Sequence, residues 1–486
     1  MISFITKLSA AFFAMFMPMI VAFNGISISL PFMNDVAVIK YDFANSEEGS
    51  AAGEITVTAS MDGNYDIYWG NENGEKLFVE VGGMKAYYSE LATVDVDGGE
   101  GKYEVQSFTA IPEGAESVLA YRCGILSGEA EIPEEKLADY GEKTYSFGAL
   151  SDVHFNRYNG SLSGDDACLT FPNALNFIEH FDVELVGISG DISADGEKNA
   201  FEKYNTIASN YDFPVYTCTG NHDVSSDYTL ANWQEHINTG VYGDNKADGV
   251  KSVASNGLDF VYAPAGADGD VFIFLSQYEW DYNRPESRIL TDEQLNWLEA
   301  QLEKYKDTTV YLFFHTFLNN PVEGEDLNMG EGNLENNVGR HYDLAFTHGC
   351  PDEVRFRGMM DKYENVVYFN GHSHWAYDMQ KFNPNLNIAD YNGEYATMVH
   401  ISSVSSPRRT KANIDDSSEH FMRSSEGMIA TVYEDKIVFN AVDFLRGEML
   451  AYATYVIEKY EKAVIDRLFL CFVIVFNAFN STFLKP

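Results

Sequence analysis

Two rhythms of hydrophobic and polar residues divide this chain. Over residues 35–142, short runs at 54–59, 65–69, 76–81, 103–110 and 117–123 alternate apolar and polar positions. Turn-forming clusters separate them, among them Asp62-Gly63-Asn64, 71–74 and 97–99. Period-two alternation broken by Gly, Asn and Asp predicts antiparallel strands, and several within about 100 residues predict an all-β sandwich. The segment 132–143, rich in Glu and carrying Pro133, reads as a linker. From Thr144 the grammar changes. Continuous apolar runs at 144–150, 185–188, 215–219, 271–275, 310–314 and 366–369 fit strands covered on both faces. Helical stripes lie between them: Ala174, Leu175, Ile178 and Phe181; Phe201, Tyr204 and Ala208; Leu295, Leu298, Leu302 and Tyr305. The last stripe follows Thr291-x-x-Gln294, a capping-box signature. The second rhythm is that of an α/β domain.

Five polar motifs follow the apolar runs of this second part. They are Ser-Asp-Val-His at 151–154, Gly190-Asp191, Gly-Asn-His-Asp at 220–223, His315, and Gly-His-Ser-His at 371–374. Loops at the carboxyl edge of an open α/β sheet converge on one crevice, so residues far apart in sequence can meet there. Imidazole nitrogen and carboxylate oxygen are good ligands for borderline divalent metals. Two such ions about 3.5–4 Å apart clamp both the attacking and the leaving oxygen of a phosphoryl displacement. One carboxylate shared between them neutralises part of both charges. If the Asp152-x-His154 pair continued its strand, alternation would turn both side chains to the same side. Hydrolysis of a phosphate ester is the reaction this set of side chains suits.

The five motifs, in this order, resemble those of the calcineurin-like metallophosphoesterases, over roughly residues 144–457. The resemblance implies a four-layer αββα core of two mixed sheets. By the same match, Asp152, His154, Asp191 and His374 would hold one metal. Asp191, Asn221, His315 and His372 would hold the second, with Asp191 as the bridge. His222 would face the phosphate as general acid or charge stabiliser, oriented by Asp223, and a metal-bridging hydroxide would be the nucleophile. The metals would be two divalent ions, with Mn, Fe, Zn and Co all compatible with such ligands. Departures narrow the branch. Ala194 stands where purple acid phosphatases carry a Tyr ligand, and the Arg residues of Ser/Thr phosphoprotein phosphatases are missing from 191–197 and 221–225. The Asp-x-His and Gly-Asn-His-Asp forms, and the stretch 427–446, look more like the bacterial phosphodiesterase and phosphatase branch. In the first part of the chain, Gly63-x-Tyr-x-Ile-x-Trp69 is similar to a fibronectin-like strand, implying a fibronectin or immunoglobulin-like domain over 35–142.

Composition restricts the partners. Against 32 Lys and Arg stand 74 Asp and Glu, a net charge of −42. Such a surface repels nucleic-acid backbone and anionic lipid, so a small phosphate ester is expected as substrate and a nucleic-acid polymer is not. Residues 1–23, with Lys7 before the apolar run 8–23 and Ala22 at a cleavable position, read as a signal peptide or an uncleaved anchor. Either places the protein outside the cytoplasm. The tail 458–486 contains a dense apolar stretch at 468–479, short for a bilayer span and better suited to a packing or interfacial helix. A membrane tether at either end is thus an expectation, while oligomeric state is left open. Five cysteines (Cys123, Cys168, Cys218, Cys350, Cys471) have no paired spacing and form no disulfide scaffold.

Other polar features have simpler readings. The segment 319–349 suits a rim facing substrate, Arg408-Arg409 a surface ion pair or a phosphate contact, and His180, His236, His341, His348, His400 and His420 ordinary surface or core histidines. The expectation is an exported, two-domain phosphoesterase acting on mono- or diesters. A nucleotidase-type monoesterase is the rival within enzymes, weakened by the short stretch after Ile457. A non-catalytic cell-surface binding or scaffold protein is the rival outside them.

Overall fold

The computed structural model describes residues 36–43, 49–106, 109–156, 166–277, 289–318, 351–378, 388–389, 396–409, 420–421 and 424–460. The segment 1–23, the rim 319–349, Cys350, His341, His348, and all of the tail beyond residue 460, with Cys471, lie outside those residues.

The alternating part of the chain is β-rich, and each of its ladders is antiparallel. Val38–Phe43, Gly53–Thr58 and Glu100–Val105 form one sheet. Ala92–Val96, Gly63–Gly70, Ser117–Arg122 and Ile125–Glu131 form another, in that order. Tyr65, Ile67 and Trp69 point to one face of Gly63–Gly70 and are fully buried, in one cluster with Ile55 and Val57 of the other sheet. Period-two patterning thus builds a shared core from two sheets.

Segment 132–143 joins the two parts and is anchored by the buried Ile132 and Tyr140, most of its other residues being exposed. It holds a single 3-10 turn, Glu134–Lys136, and its buried Tyr140 places a hydroxyl 2.7 Å from the Ile111 carbonyl and its ring 5.4 Å from that of Tyr433. Backbone bonds from Ala110 to Thr454 and from Ser89 to Met449 tie the β-rich part to the last strand of the α/β part.

That second part consists of two mixed sheets facing each other. The first runs Val215–Thr217, Val183–Ile188, Tyr145–Leu150, Glu426–Val432, Lys436–Asp443, Glu448–Glu458; its first three strands are parallel and the rest antiparallel. The second runs Val250–Val253, Phe260–Tyr262, Val271–Phe274, Val310–Phe313, Val366–Asn370, Thr397–His400, Ile388–Ala389, with the four from Val271–Phe274 to Thr397–His400 parallel. Aromatic rings fill the space between: Phe313 stacks at 5.1 Å on Phe274 and at 4.8 Å on Phe369, and Phe147 meets Phe272 and Phe369 edge-on. Such pairs add about 0.5–1.5 kcal/mol each beyond their burial. Gly187 is what lets the sheets close here, because a Cβ on it would enter the Phe313 ring.

Helices Ala167–Ile178 and Lys198–Ala208 bury the predicted stripes in the cluster that covers the first sheet. Asp292–Lys304 does so with the second, where helix Pro351–Lys362, which no stripe in the sequence analysis marked, buries Phe356, Met359 and Met360 beside it. Thr291 and Gln294 make the reciprocal capping box. The layers are helix, sheet, sheet, helix. Among the described residues, no helix is long and apolar enough to cross a membrane.

Candidate metal centre

All five motifs lie just past the carboxyl ends of parallel strands and meet at one edge of the two sheets. After Tyr145–Leu150 the chain leaves the ladder, and Asp152 and His154 both adopt left-handed backbone, with φ 54° and 52°. Their side chains share a side because of this turn, held by Asp152 N to Gly190 O (3.1 Å) and His154 N to Asp191 O (2.9 Å), and not because of strand alternation. Asp191 (φ 54°), His372 (φ 73°) and His374 (φ 62°) repeat the same conformation. For residues with a Cβ it costs roughly 1–2 kcal/mol each, and such strain concentrates at functional sites.

Each of the two aspartates has one oxygen committed and one bare. Asp152 Oδ2 accepts from Ser151 Oγ at 2.6 Å and from His372 N at 3.0 Å. Among the described residues its Oδ1 has no paired hydrogen-bond donor, and it lies 3.0 Å from His374 Nε2 and 3.5 Å from His154 Nε2. Asp191 Oδ1 accepts from His222 N at 2.9 Å, whereas Oδ2 lies 3.5 Å from His154 Nε2 and 3.2 Å from His315 Nε2. Asp191 therefore stands in both groups of candidate ligands, Asp152–His154–Asp191–His374 and Asp191–His315–His372. Asn221 Oδ1 adjoins the second group, 3.2 Å from His315 Nε2. Two glycines permit this approach: a Cβ on Gly220 would strike Asp191, and one on Gly371 would strike Ser151 Oγ and Asp152 Oδ2.

The histidines are set as ligands by their far nitrogens. Nδ1 of His154 meets Ser193 O at 3.1 Å, Nδ1 of His315 meets Ser189 O at 2.7 Å, and Nδ1 of His374 meets Ser406 O at 3.1 Å. A carbonyl only accepts, so Nδ1 carries the hydrogen and Nε2 presents a lone pair. The inward-facing nitrogens then crowd together: His154 Nε2 and His374 Nε2 are 2.9 Å apart, and His315 Nε2 is 2.9 Å from His372 Nδ1. Buried acceptors facing acceptors and bare carboxylate oxygens form an arrangement that a cation completes. The residues present fit a pair of divalent ions.

The electrostatics agree. Burial alone would raise both aspartates, yet His374 and His154 hold Asp152, and His315 and His222 hold Asp191, well below the usual carboxylate range. Burial would lower His315, but Asp191 lifts it to about 9. The carboxylates demand positive charge beside them. His372 is pushed well below its ordinary value by burial and by His315.

Of the nine residues expected from the sequence, His222 alone is not buried. Its Nδ1 lies 2.6 Å from Ala194 O and its ring packs edge-on against His154 at 4.8 Å between centroids. The expectation that Asp223 orients this ring is corrected. The Asp223 carboxylate instead accepts from the backbone N–H groups of Ile192, Ser193 and Gly220 and from Ser193 Oγ, pinning the Asp191 turn to the Gly-Asn-His-Asp turn. Burial and the neighbouring Asp191 raise it to about 7.

Sequence reasoning overlooked a sixth contributor. The stretch 402–407 follows strand Thr397–His400 at the same edge. Ser403 Oγ donates to Asp152 O, Val404 N to Ser151 O, and Ser406 supplies the acceptor for His374. Arg408 N donates to His374 O at 2.7 Å. The signal was present, a polar run after an apolar strand, but it lacks the Asp and His that mark the other five. Cys123 and Cys168 are exposed and Cys218 is buried.

Residues 145–376 match the family model of the calcineurin-like phosphoesterases. This segment is a calcineurin-like phosphoesterase domain. The family supports metal-dependent hydrolysis of phosphoesters, and the sheet that carries the domain continues past the match through Glu448–Glu458. No curated protein matches the sequence. Among solved structures, the chain is similar to GAP50, the anchor in the inner membrane complex of Plasmodium (15% identity, TM-score 0.41, 66% of this chain and 90% of that one). It is also similar to PhoD (11% identity, TM-score 0.38, 90% and 92%) and to Vacuolar Protein Sorting 29 from Cryptosporidium parvum (9% identity, TM-score 0.26, 65% and 98%).

Proposed function

We propose that this protein is an extracytoplasmic phosphoesterase that hydrolyses small phosphate mono- or diesters with two divalent metal ions. Asp152, His154, Asp191 and His374 would hold one ion, and Asp191, Asn221, His315 and His372 the other. The observation that carries this reading is the bare Oδ2 of Asp191, buried between His154 Nε2 and His315 Nε2 at 3.5 and 3.2 Å. Bound there, such ions supply Lewis acidity toward phosphoryl oxygen and lower the pKa of water.

The chain's own residues do the rest. Main-chain carbonyls of Ser189, Ser193 and Ser406 accept the Nδ1 hydrogen of three imidazoles and so aim each Nε2 at the ligand groups. His222, with Nδ1 occupied by Ala194 O, is left with Nε2 to donate a proton to a leaving oxygen or to steady negative charge on the phosphoryl group. Asp223 positions the turns and not the His222 ring. The net charge of −42 favours a small ester, drawn in by cations in the site, over a polyanionic polymer.

Replacing Asp191 with Asn tests the reading. Metal-dependent turnover of p-nitrophenyl phosphate and of its bis-ester should fall to background with the circular dichroism unchanged. Undiminished turnover would remove the bridging assignment, and wild-type preference between the two esters assigns the substrate class.

A further inference from the structure

His372 and His374 belong to different candidate ligand groups, yet one residue separates them. That residue, Ser373, is held from outside its own turn. Its Oγ lies 2.8 Å from His400 Nε2, and the opposite nitrogen of His400, Nδ1, lies 2.9 Å from Asn370 Oδ1. His400 is fully buried at the end of strand Thr397–His400, paired in parallel register with Asn370 at the end of Val366–Asn370. The Asn370 oxygen accepts, so Nδ1 of His400 carries the hydrogen and Nε2 receives the Ser373 hydroxyl. Ser373 Oγ in turn accepts the N–H of Trp375 at 3.2 Å. Burial holds His400 down at about 4, which keeps it in this neutral, two-ended form. The relay runs from one strand end through one imidazole to the pivot between two left-handed histidines. Neither His400 nor Ser373 stands in a ligand group.

We propose that His400 is a positioning residue which, acting through Ser373, sets the splay of His372 and His374 and so the affinity of both metal positions. The inference rests on the two-metal reading above. Ser373 is the fulcrum: its turn is held on the His372 side by Ser373 N to Gly371 O and His372 N to Asp152 Oδ2, and on the His374 side by Arg408 N to His374 O, and the hydroxyl–imidazole contact fixes the point between them. Strand Thr397–His400 thereby contributes twice, through His400 to the turn's centre and through Ser406 to His374 Nδ1.

The test is a cycle of His400→Ala, Ser373→Ala and the double variant in the full-length protein, titrated with Mn2+ after chelation, with thermal unfolding of each metal-free form. Losing an outer contact of this kind costs about 10–100-fold in metal affinity. Each single variant should lose affinity in that range at both positions, and the double variant should lose no more than either. His400→Gln, which can offer an acceptor to Ser373, should recover part of the loss and stands in for His400→Ala if that variant fails to fold. Affinity within twofold of wild type in a destabilised His400 variant overturns the proposal, as do losses that multiply in the double variant. A wild-type protein that takes up no Mn2+ fails the two-metal reading itself, a result separable from both.

Discussion

Asp191 shows how a single side chain can be divided between structure and chemistry. One oxygen accepts the backbone N–H of His222, a bond that joins two turns, and the other is left bare among imidazoles. Asp152 divides in the same way, with Ser151 and His372 on Oδ2. Burying an anionic oxygen without a donor is costly unless opposite charge compensates it, so these bare atoms mark where charge is to be supplied. His222 differs in kind, since its ring belongs to neither ligand group and is partly exposed. Replacing His222 with Asn should lower turnover roughly 10²–10⁴-fold, the usual worth of one acid–base group, while metal content measured by elemental analysis stays at the wild-type ratio. Loss of one metal equivalent in that variant would contradict its role. Motif residues were legible at this scale because Asp, His and Asn are chemically distinctive. Their partners were not: Ser189 and Ser193 act through carbonyls that every residue possesses, and His400 acts through a contact between strand ends 30 residues apart.

At the scale of elements, the site is a property of strand ends. The six apolar runs located their strands to within a residue or two because a strand covered on both faces can hardly be polar, as in Val310–Phe313 and Val366–Asn370, whereas Phe260–Tyr262 and Thr397–His400 gave no such run. The turns that follow were less legible. Strand alternation was one way to turn Asp152 and His154 to the same side, but the chain does so by turning left-handed at both. Glu426, which opens strand Glu426–Val432, anchors two of these pieces: its N–H donates to Ser403 O, and its Oε2 accepts from Tyr377 N at 3.0 Å. Burial, with Asp378 and Asp443 nearby, raises it to about 8 from an ordinary 4.5. A carboxyl raised on folding binds more protons in the native state, so its contribution is fully present below pH 4.5 and is lost as pH rises toward 8. The slope is at most about 1.4 kcal/mol per pH unit in that window. In metal-free urea titrations, Glu426→Gln should therefore flatten the decline of stability between pH 4.5 and 8. An unchanged slope would show that Glu426 is not the group responsible.

At the scale of the whole molecule, a β-rich part is bonded edge to edge onto the last strand of a two-sheet core, and the candidate metal centre lies at the carboxyl edge of its parallel strands. Export remains a proposal, supported by Lys7, the apolar run 8–23 and Ala22. Intact-mass measurement on protein from its native source should show the chain beginning just after Ala22, or a full-length chain in the membrane fraction if the segment is an anchor. A full-length chain in the soluble cytoplasmic fraction would remove this localisation. The sequence by itself determined the class of fold and singled out the candidate ligand side chains, because hydrophobic period and ligand chemistry are written residue by residue. Only the tertiary structure decided which oxygen of each aspartate faces the ligand groups, that Asp223 serves the turns, that Tyr140 anchors segment 132–143, and that strand Thr397–His400 joins the site. Each of these depends on atoms brought together across two sheets, and local pattern carries no information about such distances.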